Sequence, residues 1–572
     1  MMYQTRLETP EFVWSGVNRD PDEATHKFLH DGFLSVPNGF RFNTKKSYSF
    51  LYAQKGAYTA NRSLFAAVED CKQHTFSPAA IAYAAANHAM ECQRIIKTIS
   101  FDAATDYAAR QGVAIPPAGE SPEAIQKHRA YYSSRLVCPT WWNRRMVTTI
   151  ERRIEGVAVR FGVVSRQAQL YVSDEIFSRI DSRKRRSALV LSQMVAVSED
   201  GEEINMLDIL NKSIANPEVR RAELMVRLAG FEQYAIAKNH PSMFFTVTCP
   251  SKFHATHANG TPNKKYADEV TVKGKVQKNS PKVAQAYLSN VWAKVRARHN
   301  DLGHSKCYGF RIAEPHHDGC PHWHIVLFGE SSSLAAFSGL LEHFACAEDS
   351  NELKQGNGAR FTVEEIDYKK GSAVSYVAKY IAKNVDGYAV GVDGESVGER
   401  AAVTAERVKA WSSVWGIRQF QQIGGAPVGV WRELRRVSET VEGSDKMELA
   451  RVAADLSDWY GYQVQQGGAE SARADMPLRS YSEEFDVTTG EVNTNRYDET
   501  VKIVKGISEG AYILRTRNKK WAIGFKSAVA LSSLLSGETG QPWTWTCVNN
   551  CNPLSLSPER EKHQTQKTGE FH

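Results

Sequence analysis

EPHHDGCPHWHIVLF, residues 314 to 328, is the stretch on which the fold reading turns. Pro321 to Phe328 is apolar and β-branched around two histidines. Cys307 to Glu314, just before it, has the same character. Both segments read as strands. Asp318-Gly319 between them is a strong turn signal, so a hairpin is expected. A strand puts residues i and i+2 on one face. His322 and His324 then stand side by side, with Trp323 packed on the opposite face. With the turn centred on Asp318, Glu314 lies across from His322, and cross-strand partners share a face. Two imidazoles and a carboxylate form a metal site with open positions, because imidazole suits several divalent ions. A slip of one residue would turn Glu314 away. His316 and His317 are rival ligands, with turn positions as their other role. An isolated His-x-His is also what a solvated strand face carries.

Working outward, Phe244 to Thr248 reads as a buried strand and His254 to Lys278 as a polar loop. Ser289 to His299 reads as a helix with Val291, Trp292 and Val295 on one face. After the hairpin come a helix near Ser332 to Phe344, a strand near Phe361 to Ile366 and a helix from Ser372 to Lys383. This order implies an α+β fold with a central, mostly antiparallel sheet and flanking helices. Thr246 and Thr248 alternate with apolar neighbours and are expected to support the histidine-bearing strand.

The last of these helices carries Tyr376-Val377-Ala378-Lys379-Tyr380-Ile381-Ala382-Lys383. Tyr376 and Tyr380 are four apart and share a face, and Lys379 and Lys383 each follow a tyrosine by three. Two phenols beside two ammonium groups suit attack on an anionic substrate. A neutral phenol is a weak nucleophile, and a metal on the phosphate offsets this by withdrawing charge from phosphorus. The competing reading is an amphipathic helix whose tyrosines are half-buried against the sheet.

The 572 residues are too many for one core, and roughly two to four domains are expected. Residues 1–235 read as a mostly helical region, with helix at 60–110, Glu123 to Arg153 and Asp174 to Leu228, and a Gly/Pro loop from Gly112 to Pro122. Residues 236–395 hold the hairpin domain. Residues 396–440 alternate helix and loop around Gly424-Gly425, 441–550 are mixed, and 551–572 form a polar tail expected to be disordered. With 42% hydrophobic and 24% charged residues, the chain is an ordinary folding sequence.

The net charge of +7 permits a nucleic-acid partner without demonstrating one. Arg183 to Arg186 and Arg432, Arg435 and Arg436 are basic clusters whose other reading is solvated surface. The nine cysteines are dispersed. Cys547 and Cys551, the closest pair, lack zinc-site partners, which argues against disulfides or structural zinc and for a reducing cytoplasm. No signal peptide is expected. The most apolar stretch, Ala188 to Val197, is too short to span a bilayer, so no membrane partner is expected either.

The spacing of His-x-His on a strand, followed some fifty residues later by Tyr-x-x-x-Tyr on a lysine-bearing helix, resembles the two-tyrosine branch of the HUH endonuclease superfamily. A closer likeness is to the bacteriophage replication gene A protein family of rolling-circle initiators. It rests on FFTVTCPSKFH (Phe244 to His254), EPHHDGCPHWHIVLF (Glu314 to Phe328), YVAKYIAKN (Tyr376 to Asn384), WGIRQFQQIGG (Trp415 to Gly425) and WRELRR (Trp431 to Arg436). CPTWWNRR (Cys138 to Arg145) is a fainter echo. Cys320 departs from the threonine the family pattern leads one to expect.

This resemblance implies an endonuclease and strand transferase acting on single-stranded or locally melted origin DNA in the bacterial host cytoplasm. The cofactor is a divalent ion, Mg2+ or Mn2+, on His322, His324 and Glu314. Tyr376 and Tyr380 are the alternating nucleophiles, assisted by Lys379 and Lys383, and a host helicase and replication machinery are candidate partners. The readings it competes with are a relaxase or single-strand transposase of the same superfamily, a hydrolase using the histidine pair to activate water, and a non-catalytic origin-binding protein.

Overall fold

The hairpin is the centre of a five-stranded sheet. In the computed structural model, which describes residues 23–369, 371–387, 401–485 and 490–526, every neighbouring pair of that sheet is antiparallel. The fold is α+β, with a helical N-terminal region and antiparallel sheets. The expected tail after Cys551 and the Cys547/Cys551 pair lie outside the described residues.

The N-terminal helices are α1 (Glu23–Leu34), α2 (Arg41–Cys71, interrupted by Gly56 at φ 80), α3 (Pro78–Thr98), α4 (Phe101–Arg110), α5 (Pro122–Leu136), α6 (Pro139–Arg160) and α7 (Asp174–Ser192). Serine side chains at Ser77, Ser100, Ser121 and Ser173 cap four of them, and Pro78, Pro122 and Pro139 occupy first-turn positions. A proline there loses no hydrogen bond and is already set at a helical φ. The alanine-rich run around residues 60–110 is thus cut into separate helices at its Ser-containing breaks.

The expectation of continuous helix from Asp174 to Leu228 is corrected. After α7 come strands β1 (Met194–Ser198) and β2 (Glu203–Asn205), and helix resumes as α8 (Met206–Lys212) and α9 (Pro217–Lys238). All five residues of β1 are buried. A short apolar run like this does not reveal its period; β2 pairs with one side of it and a strand far away in sequence with the other.

The sheet begins with β3 (Ser242–Thr248). The stretch expected to be loop to Lys278 contains a small hairpin, β4 (Glu269–Val272) and β5 (Lys275–Lys278), turned at Lys273-Gly274 with φ 54 and 72. Buried Val270 and Val272 alternate with exposed residues, which is the strand signal there. Then follow α10 (Pro281–Asp301), β6 (Tyr308–Pro315), β7 (Pro321–Phe328), α11 (Ser331–Cys346), β8 (Phe361–Glu365), α12 (Ala373–Val385) and α13 (Ala401–Trp415).

β9 (Phe420–Ile423), in a stretch read as helix and loop, adds an edge strand beside β6, so the order is β8-β3-β7-β6-β9. Beyond it lie α14 (Val428–Leu434), α15 (Asp445–Asp455), α16 (Trp459–Gln465), β10 (Leu478–Glu483), β11 (Ile503–Glu509), β12 (Tyr512–Arg515) and β13 (Trp521–Phe525). β13, at the end of the described chain, pairs with β1 of Met194–Ser198.

Strand alternation divides the sheet into two faces. Phe245, Val247, Trp323, Ile325 and Leu327 join one core with α10, α11 and the N-terminal helices through Trp142 and Ile154. Phe244, Phe310, Ile312, Val326 and Phe328 form another core with α9 and α12. The histidine-bearing face is therefore roofed by the tyrosine helix. Among the described residues no helix is long and apolar enough to cross a membrane.

Gly309 pairs with Leu327 at φ 153, and a Cβ built there would sit 2.0 Å from the Val326 carbonyl oxygen. The β6–β7 register depends on that missing side chain. Gly309→Ala is expected to lower unfolding stability by about 2–4 kcal/mol, the range for strain at a buried backbone position. Urea denaturation monitored by tryptophan fluorescence measures it; an unchanged midpoint would contradict the close approach.

Candidate active site

The register sets the site. Glu314 lies across from His322, and Thr246 of β3 lies across from His324 on the other side. Trp323 points to the opposite face, where it is buried under the Arg311 guanidinium at 3.9 Å and donates its indole N–H to Gln285.

On the near face, His322 Nε2 and His324 Nε2 are 2.9 Å apart, and Glu314 Oε2 is 3.7 and 3.5 Å from them. A triangle with these sides has a point about 2 Å from each corner, the bond length of imidazole nitrogen and carboxylate oxygen to a small divalent ion. Two imidazoles and a carboxylate are a usual ligand set for a divalent ion, and with their protons on Nδ1 both imidazoles offer Nε2 to that point, so the donor set fits a metal. It is the one His/Cys/Asp/Glu cluster of this geometry among the described residues.

Supporting bonds hold the three ligands. Thr246 Oγ1 is 3.1 Å from His324 Nδ1. A proton held on Nδ1 by that contact leaves Nε2 free to ligate. The carboxamide of Asn384 donates both to Glu314 Oε1 and to the Tyr380 carbonyl, the latter at 2.6 Å. Asn384 was not singled out from sequence beyond its place in the YVAKYIAKN string. Its signal is its spacing, one helical turn after Tyr380 and facing the same way. His322 Nδ1 is buried with no hydrogen-bond partner.

Burial, reinforced by the imidazoles of His316 and His324 and the Lys383 ammonium, holds the His322 pKa well below the ordinary histidine value. A ligating imidazole must be neutral, so this favours binding. His316 stacks on His322 with ring centroids 4.1 Å apart and lies 5.1 Å from His254, while His317 reaches the His257 carbonyl at 3.1 Å. Neither rival histidine belongs to the ligand triangle. His254 and Asp318 form a buried pair at 3.1 Å that ties the turn to the end of β3. Burial opposes the His254 charge, but the Asp318 carboxylate outweighs it and raises the His254 pKa.

The tyrosine helix is capped by Ser372 and buries Ala373, Val377, Ile381 and Val385. This apolar stripe seats it on the sheet and turns the phenols toward the histidine pair. The Tyr380 ring lies 4.1 Å from the His324 ring and stacks on Phe244 at 5.5 Å. Tyr376, one turn earlier, sits 6.1 Å from Phe244 and is 40% exposed. Lys383 lies 6.0 Å from the Tyr171 ring, close enough to act on His322. Lys379 is exposed to solvent.

The structure thus gathers Glu314, His322, His324, Tyr380 and Lys383, with Tyr376 at the margin and Lys379 outside. The basic clusters are largely paired within the chain: Arg183 with Glu151, Lys184 with Glu406, Arg185 with Asp181 and Arg432 with Glu223.

The family model described as bacteriophage replication gene A protein matches residues 62–388. The replication gene A protein of Escherichia phage 186 is 36% identical over 439 residues, covering 74% of this chain and 60% of its own length. The replication protein of Haemophilus phage HP1 is 35% identical over 449 residues, covering 76% and 55%. A probable replication endonuclease from a prophage-like region of Salmonella typhi is 31% identical over 443 residues, covering 74% and 52%. The matches thus span between about half and three fifths of the length of these curated relatives. No solved structure gives a significant match.

Two outcomes follow from this geometry. Removing the carboxamide frees Glu314, so Asn384→Ala is expected to weaken Mn2+ binding roughly 10- to 100-fold without unfolding, as measured by calorimetry. In the metal-free protein at pH 6.5, NMR titration is expected to find His254 protonated and His322 neutral. The His254–Asp318 pair accordingly adds stability that is fully present below pH 6.5 and lost as pH rises through the raised His254 value. Equal titration of the two histidines would contradict these environments.

Proposed function

The chain belongs to the bacteriophage replication gene A protein family, and on that premise we propose that it starts rolling-circle DNA replication by nicking one strand at an origin. The observation that carries this reading is the Tyr380 ring 4.1 Å from the ring of His324, itself one corner of the three-acceptor triangle. Tyr380 also packs on Phe244, but a phosphodiester held at the triangle needs both a phenol and the ligand set within reach. Relatives named replication endonucleases support the nuclease class.

In this reading Glu314, His322 and His324 hold a divalent ion, Mg2+ or Mn2+, which when bound withdraws charge from the scissile phosphate. Asn384 and Thr246 keep the ligands oriented. Tyr380 presents its oxygen to the phosphorus. The Tyr O–P bond forms, the P–O3′ bond breaks, the phenolic proton passes to solvent, and the 3′ oxygen leaves as a hydroxyl that primes synthesis. The Lys383 ammonium lies on the side of His322 and stabilises the developing charge.

The bond energy stays in the 5′-phosphotyrosine, so rejoining needs no nucleotide. Tyr376, one turn away and open to solvent, serves the second cut. The 3′ hydroxyl it releases then attacks the first ester and closes the displaced circle. The α12 rise of about 5 Å per turn makes the exchange a small motion. Single-stranded or locally melted origin DNA is the substrate, and a host helicase and replication machinery in the bacterial cytoplasm are the expected partners.

Incubation with a single-stranded origin oligonucleotide and Mn2+, followed by mass spectrometry of the peptide bearing Tyr376 and Tyr380, tests the reading. The double variant Tyr376→Phe/Tyr380→Phe is expected to form no covalent adduct, and single variants to nick but join poorly. His322→Ala is expected to lose cleavage while still binding DNA. An adduct persisting in the double variant, or turnover with no adduct in the wild type, overturns it.

A further inference from the structure

Outside the metal site, cations from four separate parts of the chain crowd around residues 414–421. Arg152 of α6 donates to the Val414 carbonyl at 2.7 Å, and its guanidinium lies 2.8 Å from where a Cβ on Gly416 would stand. Arg418 belongs to the segment and donates to the Phe420 carbonyl at 3.2 Å. Arg220 of α9 lies over the Phe420 ring at 5.2 Å, and Arg311 of β6 donates to Gln421 at 3.0 Å.

None of these four has a carboxylate within 4.0 Å among the described residues, and the nearby acids are taken. Glu151 pairs with Arg183, and Glu223 with Arg227 and Arg432. A chain that elsewhere pairs its basic clusters internally leaves this one open. Like charges held together without counterions destabilise the fold unless an outside anion compensates.

Hydrogen bonding points the same way. Arg311 Nε, Trp415 Nε1 and Gln419 Nε2 are buried donors with no acceptor, all in or against this segment. Arg311 and Gln419 are 7% and 4% exposed. Burial, with Arg418 adding to it, pulls the Arg311 pKa down to about 10, so its charge is held at a cost. These three donors are buried in or against the segment, so the group that phosphate oxygens can reach is the exposed Arg418 guanidinium.

Position supplies the link to the site. The Ala313 N–H donates to the Gln419 carbonyl, and Ala313 precedes the ligand Glu314. The segment continues into edge strand β9, two strands from β7 and so about 10 Å from the histidine pair. That is a few nucleotides along a strand.

We propose that Arg418, with Arg220 behind it over the Phe420 ring, grips the phosphodiester backbone of the DNA strand flanking the scissile phosphate as a rim at residues 414–421, while Arg311 on the Trp323 face and Arg152 brace that segment from behind. This rests on the nickase reading above. The rim contributes affinity and register without reading sequence. Arg418 is its exposed member, and Arg152, Arg220 and Arg311 are its half-buried and buried supports.

The test uses the full chain in EDTA, with a fluorescent single-stranded oligonucleotide of about 30 nucleotides and mixed sequence, followed by anisotropy across a salt series. Arg418→Gln is expected to bind about tenfold more weakly, equally on unrelated sequences, with the slope of log affinity against log salt reduced by about one. Arg418→Lys is expected to restore most of the affinity. Arg152→Gln is a second variant, and circular dichroism checks that both are folded. With Mn2+ and a single-stranded origin oligonucleotide, the wild-type chain is expected to form the tyrosine adduct.

Unchanged affinity and slope in both folded variants overturn the rim while leaving the nickase reading intact if the adduct forms. Rim-dependent binding with no adduct in the wild type removes the nickase reading and keeps the rim. A wild-type chain that binds no single-stranded DNA at low salt overturns both.

Discussion

The convergence of two imidazole nitrogens and one carboxylate oxygen is the constraint around which this molecule is arranged. His322 Nε2 and His324 Nε2 are 2.9 Å apart, with Glu314 Oε2 3.7 and 3.5 Å away, in a buried setting. Polar groups buried this closely persist only if the surrounding fold holds them. Most of the structure can be read as the means of holding them. The β6–β7 register supplies Glu314 and His322, Thr246 on β3 fixes His324 from the other side, and Asn384 on α12 fixes Glu314 from above.

The division of the sheet follows from the same demand. The face bearing Trp323 is buried against α10, α11 and the N-terminal helices in one continuous apolar core. That core keeps the strands from moving. The face bearing the histidines also carries Phe244 and Phe310, but there the cover is the amphipathic α12 and its partner α9. Placing the tyrosine helix as the lid of the histidine face couples the two: Asn384 touches Glu314 and the Tyr380 backbone at once. A helix shifted by one residue along the sheet would lose the Glu314 contact.

How much of this was legible depended on range. The hairpin, its turn at Asp318 and the pairing of Glu314 with His322 follow from local signals: alternation, an Asp-Gly turn and the fixed period of a strand. The helix with two tyrosines on one face is equally local. The signals failed where the deciding partner is distant. Met194–Ser198 reads as more of the preceding helix because it is a short, fully buried run with no visible period, and one of its two strand partners, Trp521–Phe525, is more than three hundred residues away. Phe420–Ile423 is short, and its strand character comes from β6 rather than from its own residues. Lys379 and Lys383 looked equivalent by spacing, yet only the apolar stripe's orientation against the sheet turns Lys383 inward. Asn384 escaped notice because an asparagine late in a helix carries no signal until the carboxylate beside it is known.

The residues matched by the family model, 62–388, include the hairpin, the tyrosine helix and helices that pack behind the sheet. The most direct measurement is anomalous diffraction from crystals of the chain soaked in Mn2+. A single peak about 2 Å from Glu314 Oε2, His322 Nε2 and His324 Nε2, beside the Tyr380 ring, is the predicted result. No peak at those atoms at millimolar Mn2+, or one bound by His316 or His317 instead, would contradict the account.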